Sequence, residues 1–151
     1  MTVDKSVEIE KFSHVAMQVS DLEASLAFYH GLLGLEKVFE RVYDDPRPGG
    51  RQLRIAACRV GGTVMLEFTA AVEDPQPVDG RSAPVVAFGV ADIHDTHARI
   101  LAAGVEPMMP PTEMEPGVFM VFVRDPDGRT IEFVQFPGGA LSSAEYSDLP
   151  G

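Results

Sequence analysis

The chain has 151 residues, of which 45% are hydrophobic and 23% charged, as expected for one globular domain. The formal net charge of −11 disfavours nucleic acid and anionic membranes as partners. No apolar run reaches the roughly 20 residues that cross a bilayer, and residues 1–8 lack the apolar core of a signal peptide, so we expect a cytoplasmic protein. The single cysteine, Cys58, excludes an internal disulfide and is expected to be a buried, unreactive thiol.

The first half of the chain predicts one helix among four strands. Residues 12–19 alternate in polarity as in a strand, with His14 and Gln18 on one face. Ser20 is predicted to cap the helix that follows, with Glu23 completing a capping box. The other strands of this half are expected at residues 36–42, 52–60 and 63–69.

The second half predicts the same order of elements. Its strands are expected at residues 85–90, 105–109, 118–123 and 129–135, and its helix at residues 92–103. A proline-rich loop covers residues 110–117, and Asp125-Pro126-Asp127-Gly128 forms the last turn. We expect a single domain with module one at about 11–70, a linker at 71–84, module two at about 85–136 and a mobile tail at 137–151.

Two segments of the chain are repeated. The segment that begins at His14 resembles the one that begins at Val85, an offset of 71, and the segment around Glu67 resembles the one around Glu132, an offset of 65. A duplicated unit folds into two similar halves, so equivalent residues can meet across a pseudo-two-fold axis. Each glutamate is the one acidic residue of an apolar strand, whereas the equivalent of His14 is an aliphatic residue.

Strand periodicity predicts that Glu67 and Glu132 share the concave side of the sheet with His14, because the alternate, aromatic face packs under the helices. A buried carboxylate is costly unless it is paired, protonated or bound to a metal. Apart from Arg129 at the first position of the last strand, no lysine or arginine lies within these strands. One imidazole and two carboxylates suit a divalent ion such as Mn, Fe, Co, Ni or Zn.

Pairing of the two glutamates with arginines is the alternative. Arg51, Arg54 and Arg124 are the candidates, and such pairing leaves a metal-free pocket for a ligand. His97 falls on the apolar stripe of the second helix, where a core histidine is the preferred interpretation. Methionines at 108–120 either fill gaps or line a hydrophobic pocket.

The order of elements resembles the vicinal oxygen chelate superfamily, nearest its glyoxalase-like and epimerase-like branch. The motifs that carry the resemblance are His14-Val15-Ala16, Asp21-Leu22-Glu23, Phe28-Tyr29, Leu33-Gly34-Leu35, Asp125-Pro126-Asp127-Gly128 and Ile131-Glu132-Phe133. The resemblance implies an α+β fold in which two tandem βαβββ modules form a half-open, mixed-sheet barrel around a central cavity. It also implies a homodimer.

The same resemblance implies metal ligands at His14, Glu67, Val85 and Glu132, and valine cannot bind a metal. The implied activity is a metal-dependent isomerase, epimerase or lyase that acts on a small hydroxy-carbonyl substrate through a metal-stabilised enediolate. Glu132 is the preferred base, and Glu67 returns the proton from the other face. A metal-free protein that sequesters a hydrophobic or cationic small molecule is the alternative, and an Fe(II) ring-cleaving dioxygenase ranks third.

Overall fold

The computed structural model describes residues 6–62 and 64–151. The first five residues, which enter the signal-peptide expectation, and Thr63, the predicted start of a strand, lie outside the described residues. The chain divides into two compact units, Met1–Val78 and Asp79–Gly151, referred to below as unit 1 and unit 2. Each unit contains one four-stranded mixed sheet. In the part of the chain described, no helix is long and apolar enough to cross a membrane.

Unit 1 is built on a sheet with the strand order β1-β4-β3-β2, in which β1 and β4 are parallel and the other neighbours antiparallel. Its strands are β1 His14–Gln18, β2 Glu36–Asp44, β3 Gln52–Val60 and β4 Val64–Ala71. Met17, Leu66 and Phe68 are buried, while His14 is exposed and Glu67 half-buried on the opposite face. The predicted two-residue alternation is therefore confirmed in both strands.

One helix packs on the buried face of this sheet. Helix α1 spans Leu22–Leu26 and continues directly as a π-helical segment, Ala27–Leu32. Its N-cap is Asp21, whose carboxylate accepts a backbone N–H of the first turn at 3.1 Å. The prediction of Ser20 as the cap is wrong, because the Ser20 hydroxyl accepts the backbone N–H of Val78 at 2.6 Å instead.

Unit 2 repeats this topology with the strand order β5-β8-β7-β6. Its elements are β5 Val86–Gly89, α2 Ile93–Ala102, β6 Thr112–Glu115, β7 Val118–Arg124 and β8 Thr130–Gln135. The prediction of a strand at 105–109 is wrong, and the edge strand lies inside the predicted loop. Pro107 and Pro110 lack the N–H groups that a strand needs, so regular pairing starts only at Thr112.

The sheet registers reproduce the repeat seen in the sequence. In unit 1 Ala16 of β1 lies beside Glu67 of β4, and in unit 2 Ala87 of β5 lies beside Glu132 of β8. Both pairs join parallel strands. The two alanines are 71 residues apart and the two glutamates 65, which are the offsets of the sequence repeat. The predicted α+β class with two tandem βαβββ modules is therefore confirmed, and neither four-stranded sheet closes on itself.

The C-terminal tail packs on the sheet of unit 2. The rings of Phe136 and Tyr146 stack with centroids 5.0 Å apart, and the backbone of Leu141 lies directly against Gly89 of β5. The regular elements of the tail are a 3-10 turn at Pro137–Gly139 and α3 at Ser143–Ser147. The predicted mobility of the tail stays a prediction, which these contacts do not test.

Gly89→Ala is expected to displace this tail. A Cβ atom at Gly89 would lie 1.7 Å from the carbonyl oxygen of Leu141, so the strand or the tail must move. We expect the free energy of unfolding, measured by urea denaturation, to fall by about 1–3 kcal/mol. Gly62→Ala is the control, because a Cβ there meets no atom within 4 Å. Equal losses in the two variants would contradict the described tail packing.

Candidate functional site

His14 and Glu67 form a side-chain pair in unit 1. The Nε2 atom of His14 lies 2.6 Å from Oε2 of Glu67, and the side chains are 45% and 18% exposed. The two residues lie on the parallel neighbours β1 and β4, on the face opposite α1. We call the face of each sheet that carries its glutamate the glutamate face. The pair thus combines a shielded carboxylate with an accessible imidazole.

Ser13 holds the other nitrogen of this imidazole. A hydrogen bond of 2.8 Å joins Ser13 Oγ and Nδ1 of His14, which directs Nε2 to the carboxylate. A second group on the remote ring nitrogen commonly fixes the orientation of a metal-binding histidine. The sequence reasoning missed this residue, and its one available signal was a hydroxyl directly before a histidine at the start of a strand.

Glu132 occupies the equivalent position in unit 2. It lies on β8 between Ala87 of β5 and Phe122 of β7, and its side chain is half-buried. Burial raises the pKa of the Glu132 carboxyl above its ordinary value. This carboxyl makes no hydrogen bond or ion pair with the residues that the structure describes. A half-buried carboxyl without a partner suits a group that binds a cation or moves a proton.

In the metal-free protein, Glu132→Gln is expected to raise the stability at neutral pH. Because burial raises the pKa in the folded chain, folding favours the protonated carboxyl. The contribution of this carboxyl to the free energy of unfolding is fully present below the ordinary pKa of 4.5, and it is lost as the pH rises through the raised pKa of the folded chain. Urea unfolding at about pH 4 and pH 8, with Glu36→Gln as an exposed control, measures this. A gain from Glu132→Gln that is equal at both pH values would contradict it.

The fourth position of the predicted site is aliphatic. Val85 directly precedes β5 and is 54% exposed. Among residues 6–62 and 64–151, no three histidine, cysteine, aspartate or glutamate side chains are grouped closely enough to hold a metal ion. The structure therefore brings together two of the three predicted ligands, His14 and Glu67. The participation of Glu132 stays a prediction.

The arginines offered as alternative partners are engaged elsewhere. Arg54 lies on β3 and forms ion pairs with Glu23, at 2.7 Å, and with Glu40. Arg124 donates a hydrogen bond of 2.9 Å to a backbone carbonyl of the last turn. The guanidinium of Arg51 lies 3.5 Å from another backbone carbonyl oxygen. Pairing of an arginine with either site glutamate is thus absent among the described residues.

The remaining candidates give no second site. Cys58 is fully buried, and burial raises the pKa of its thiol, so the thiolate is disfavoured as predicted. His97 is half-buried on α2, which agrees only partly with the predicted core position. Met108 and Met114 are exposed, so these two do not fill gaps in the core.

Known proteins resemble this chain over most of its length. The family model for the glyoxalase/bleomycin resistance protein/dioxygenase superfamily matches residues 11–133. A probable lactoylglutathione lyase of Synechocystis sp. is 30% identical over 126 residues, which are 81% of this chain and 92% of that protein. The solved structure of the trypanothione-dependent glyoxalase I of Leishmania major is 27% identical, with a TM-score of 0.65, and the match covers 84% of this chain and 87% of that one.

A solved glyoxalase family protein of Bacillus cereus has a TM-score of 0.73 at 19% identity, covering 88% of this chain and 98% of that one, and supports the fold alone. The curated relative is named as a lyase. The family match spans both βαβββ modules and includes His14, Glu67 and Glu132. Duplicated topology, matched register and family model agree, so the chain belongs to the glyoxalase/bleomycin resistance protein/dioxygenase superfamily.

Proposed function

We propose that this chain is a metal-dependent lyase or isomerase that acts on a small hydroxy-carbonyl substrate. The observation that carries the proposal is the 2.6 Å pair of His14 and Glu67 on one sheet face. The glutamate of the duplicated strand, Glu132, supplies the third ligand in this proposal. The names of the curated relatives as lactoylglutathione lyases support a lyase of this class.

The donor set fits a divalent metal ion. An imidazole nitrogen and two carboxylates are ligands that Mn, Fe, Co, Ni and Zn accept. Ser13 orients the imidazole through Nδ1, and Glu132 has a carboxyl that no described residue neutralises. When bound, the ion supplies a positive charge that polarises neighbouring substrate oxygens and acidifies the carbon between them.

The two glutamates then move the substrate proton. Glu132 removes the proton from the carbon beside the carbonyl, as a positioned carboxylate can do when it acts as a general base. Glu67 returns a proton from the opposite side, which allows epimerisation as well as isomerisation. Before a metal ion binds, the 2.6 Å contact with His14 holds the Glu67 carboxylate beside the imidazole.

Incorporation of solvent deuterium at the reacting carbon tests this function. The first substrate is the hemithioacetal of glutathione and methylglyoxal, chosen because the relatives are named for lactoylglutathione. Further arms use hydroxy-carbonyl compounds without the thiol. We expect metal-dependent exchange that a chelator abolishes and that the added divalent ion restores. Exchange that the chelator leaves unchanged would contradict the metal-dependent mechanism.

A metal-free binding protein is the second candidate, and Val85 in place of a fourth ligand is the observation that favours it. Its test is tight binding of a small molecule that proceeds equally well in Glu67→Gln and in the chelated protein. Such binding, without any proton exchange, would favour sequestration over catalysis.

We also propose that the protein is a homodimer, as the family resemblance implies. Analytical ultracentrifugation measures the assembly state. Mixing the Glu67→Gln and Glu132→Gln proteins tests which chain supplies each ligand. Recovery of activity on mixing assigns Glu132 to a second copy, while no recovery assigns all three ligands to one chain.

Ser13→Ala is expected to weaken metal binding about tenfold, because Nδ1 of His14 loses the group that orients the ring. Competition with a chromogenic chelator measures the dissociation constant. Ser82→Ala is the control, since this serine is exposed and lies on the linker before β5. An unchanged affinity in Ser13→Ala would show that the hydroxyl does not position the ligand.

A further inference from the structure

The C-terminal tail crosses the glutamate face of unit 2 a short distance from Glu132. Ala87 of β5 lies beside Glu132 of β8, and Gly89 lies beside Val134, two residues farther along the same face. A Cβ atom at Gly89 would lie 1.7 Å from the carbonyl oxygen of Leu141. Because two strand residues span about 7 Å, the tail crosses the face about 7 Å beyond Glu132.

A second contact holds the tail at this end of the face. Phe136 has an extended backbone and continues the alternation of β8, so its ring lies on the same side as Glu132. Tyr146 of α3 stacks on this ring with the centroids 5.0 Å apart, and its hydroxyl donates to Glu115 of β6 at 3.2 Å. Val134 lies next to these contacts and is 6% exposed. The tail therefore contacts both edge strands of this sheet, β5 and β6.

The equivalent place in unit 1 is open. Gln18 and Thr69 occupy the positions that Gly89 and Val134 have in unit 2, because each pair lies two residues beyond the site glutamate. Both residues line a cavity of about 300 Å³, to which Arg51 also contributes. The same two positions of the duplicated sheet thus border an open space in one unit and the tail in the other.

The space between Glu132 and the tail has apolar sides. Phe122 of β7 lies beside Glu132, and Met120 lies beside Val134. On the other side β5 presents the small side chain of Ala87, which is exposed. Because non-bonded carbon atoms approach to about 3.5–4.0 Å, a strand distance of about 7 Å leaves room for about one or two carbon atoms.

We propose that the tail limits the length of the substrate, so that the apolar group attached to the reacting carbons is a methyl or ethyl group. The proposal rests on the proposed function, in which Glu132 acts on those carbons. A longer group on the tail side would meet the backbone of Leu141. The substrate class is therefore a hydroxy-carbonyl compound with a short hydrocarbon substituent, and release of the tail should admit longer ones.

Cysteine labelling tests whether the tail covers the face, without any substrate or metal ion. Val134→Cys places a thiol beside the tail, and the parent chain gives a low background because its one cysteine, Cys58, is buried. We expect slow labelling by a soluble maleimide, and labelling about tenfold faster when Tyr146→Ala removes the stacked ring and its hydroxyl. Val123→Cys, on the opposite face and 1% exposed, is the position control and should label equally in both backgrounds.

A series of substrates tests the length limit. The substrates are the hemithioacetals of glutathione with methylglyoxal, propylglyoxal and hexylglyoxal. In the wild-type protein kcat/KM should fall at least about tenfold from methyl to hexyl. Tyr146→Ala should reduce this selectivity about tenfold and keep methylglyoxal turnover within about threefold of the wild-type value.

Two further variants complete the series. Ser143→Ala changes an exposed residue of the same helix and should alter neither the labelling nor the selectivity. Gly89→Ala displaces the tail by a direct clash instead of a lost contact, so it should act in the same direction as Tyr146→Ala and replaces that variant if it does not fold.

Each outcome bears on one of the two proposals. Fast labelling of Val134→Cys in the otherwise native chain, or labelling that neither tail variant accelerates, would show that the tail does not cover the face and overturn the length limit. Faster labelling with an unchanged methyl-to-hexyl ratio would also overturn it. Absence of exchange with every substrate in the wild-type protein would refute the proposed function, and the labelling would then decide by itself whether the tail closes this face.

Discussion

Glu132→Gln is expected to lower the rate of substrate proton exchange by about 10²–10⁴-fold. Glutamine keeps the size of the side chain and one oxygen that can contact a metal ion, but it cannot accept a proton. The measurement is the initial rate of deuterium incorporation per bound metal ion, so that weaker metal binding does not count as lost catalysis.

Glu113→Gln provides the matched control for this prediction. Glu113 is an exposed glutamate on β6 of the same unit, and its removal should leave the exchange rate unchanged. Circular dichroism of both variants excludes unfolding as the cause of a loss. A Glu132→Gln rate within about threefold of the wild-type rate would remove this residue from the role of general base.

Asp125→Ala is expected to destabilise unit 2 by about 3–5 kcal/mol. The Oδ2 atom of Asp125 lies 3.1 Å from Nη1 of Arg129, and the two side chains are 0% and 5% exposed. The Oδ1 atom accepts the backbone N–H groups of Asp127 and Arg129, each at 2.9 Å. Alanine therefore removes a buried counter-charge of the Arg129 guanidinium and two hydrogen bonds that shape the turn.

Urea unfolding of Asp125→Ala beside Asp95→Ala measures this effect. Asp95 forms an exposed ion pair with Arg99, whose side chains are 57% and 79% exposed, and its loss should have little effect. The contrast depends on burial, since each variant removes one carboxylate from a pair four residues apart. A loss in Asp125→Ala no greater than that in Asp95→Ala would contradict the structural importance of the buried pair.

Local periodicity was sufficient to predict the faces of the site strands. Leu66 and Phe68 are buried and Glu67 points to the other face because side chains alternate along any strand. The repeat added what one strand does not show, namely that Glu132 is the equivalent of Glu67. This equivalence reappears as identical parallel registers in the two sheets.

Contacts between residues far apart in sequence were not predictable in the same way. Ser20 reads locally as a helix cap, yet its hydroxyl is taken by the backbone of Val78, 58 residues away. The packing of Leu141 on Gly89 likewise joins segments that share no local pattern. The cavity with Arg51 requires a loop conformation that a run of glycine and proline residues does not specify.

The duplication has diverged two residues beyond each glutamate along the parallel strand pair. In unit 1 Gln18 and Thr69 line an open cavity. In unit 2 the residue equivalent to Gln18 is Gly89, and the backbone of Leu141 lies against it. A side chain at this position would clash with the tail, so the observed packing of the tail requires glycine at residue 89. The tail therefore occupies in unit 2 the place that remains available to a ligand in unit 1.

The metal content of the purified protein tests the central claim most directly. Inductively coupled plasma mass spectrometry is applied to the untagged wild-type protein, to Glu67→Gln/Glu132→Gln and to the control Glu36→Gln/Glu113→Gln. The account predicts about one divalent ion per chain in the wild type and the control, and none in the site variant. No bound ion in the wild type after incubation with Mn²⁺, Ni²⁺ and Zn²⁺, or equal metal in the site variant, would contradict it.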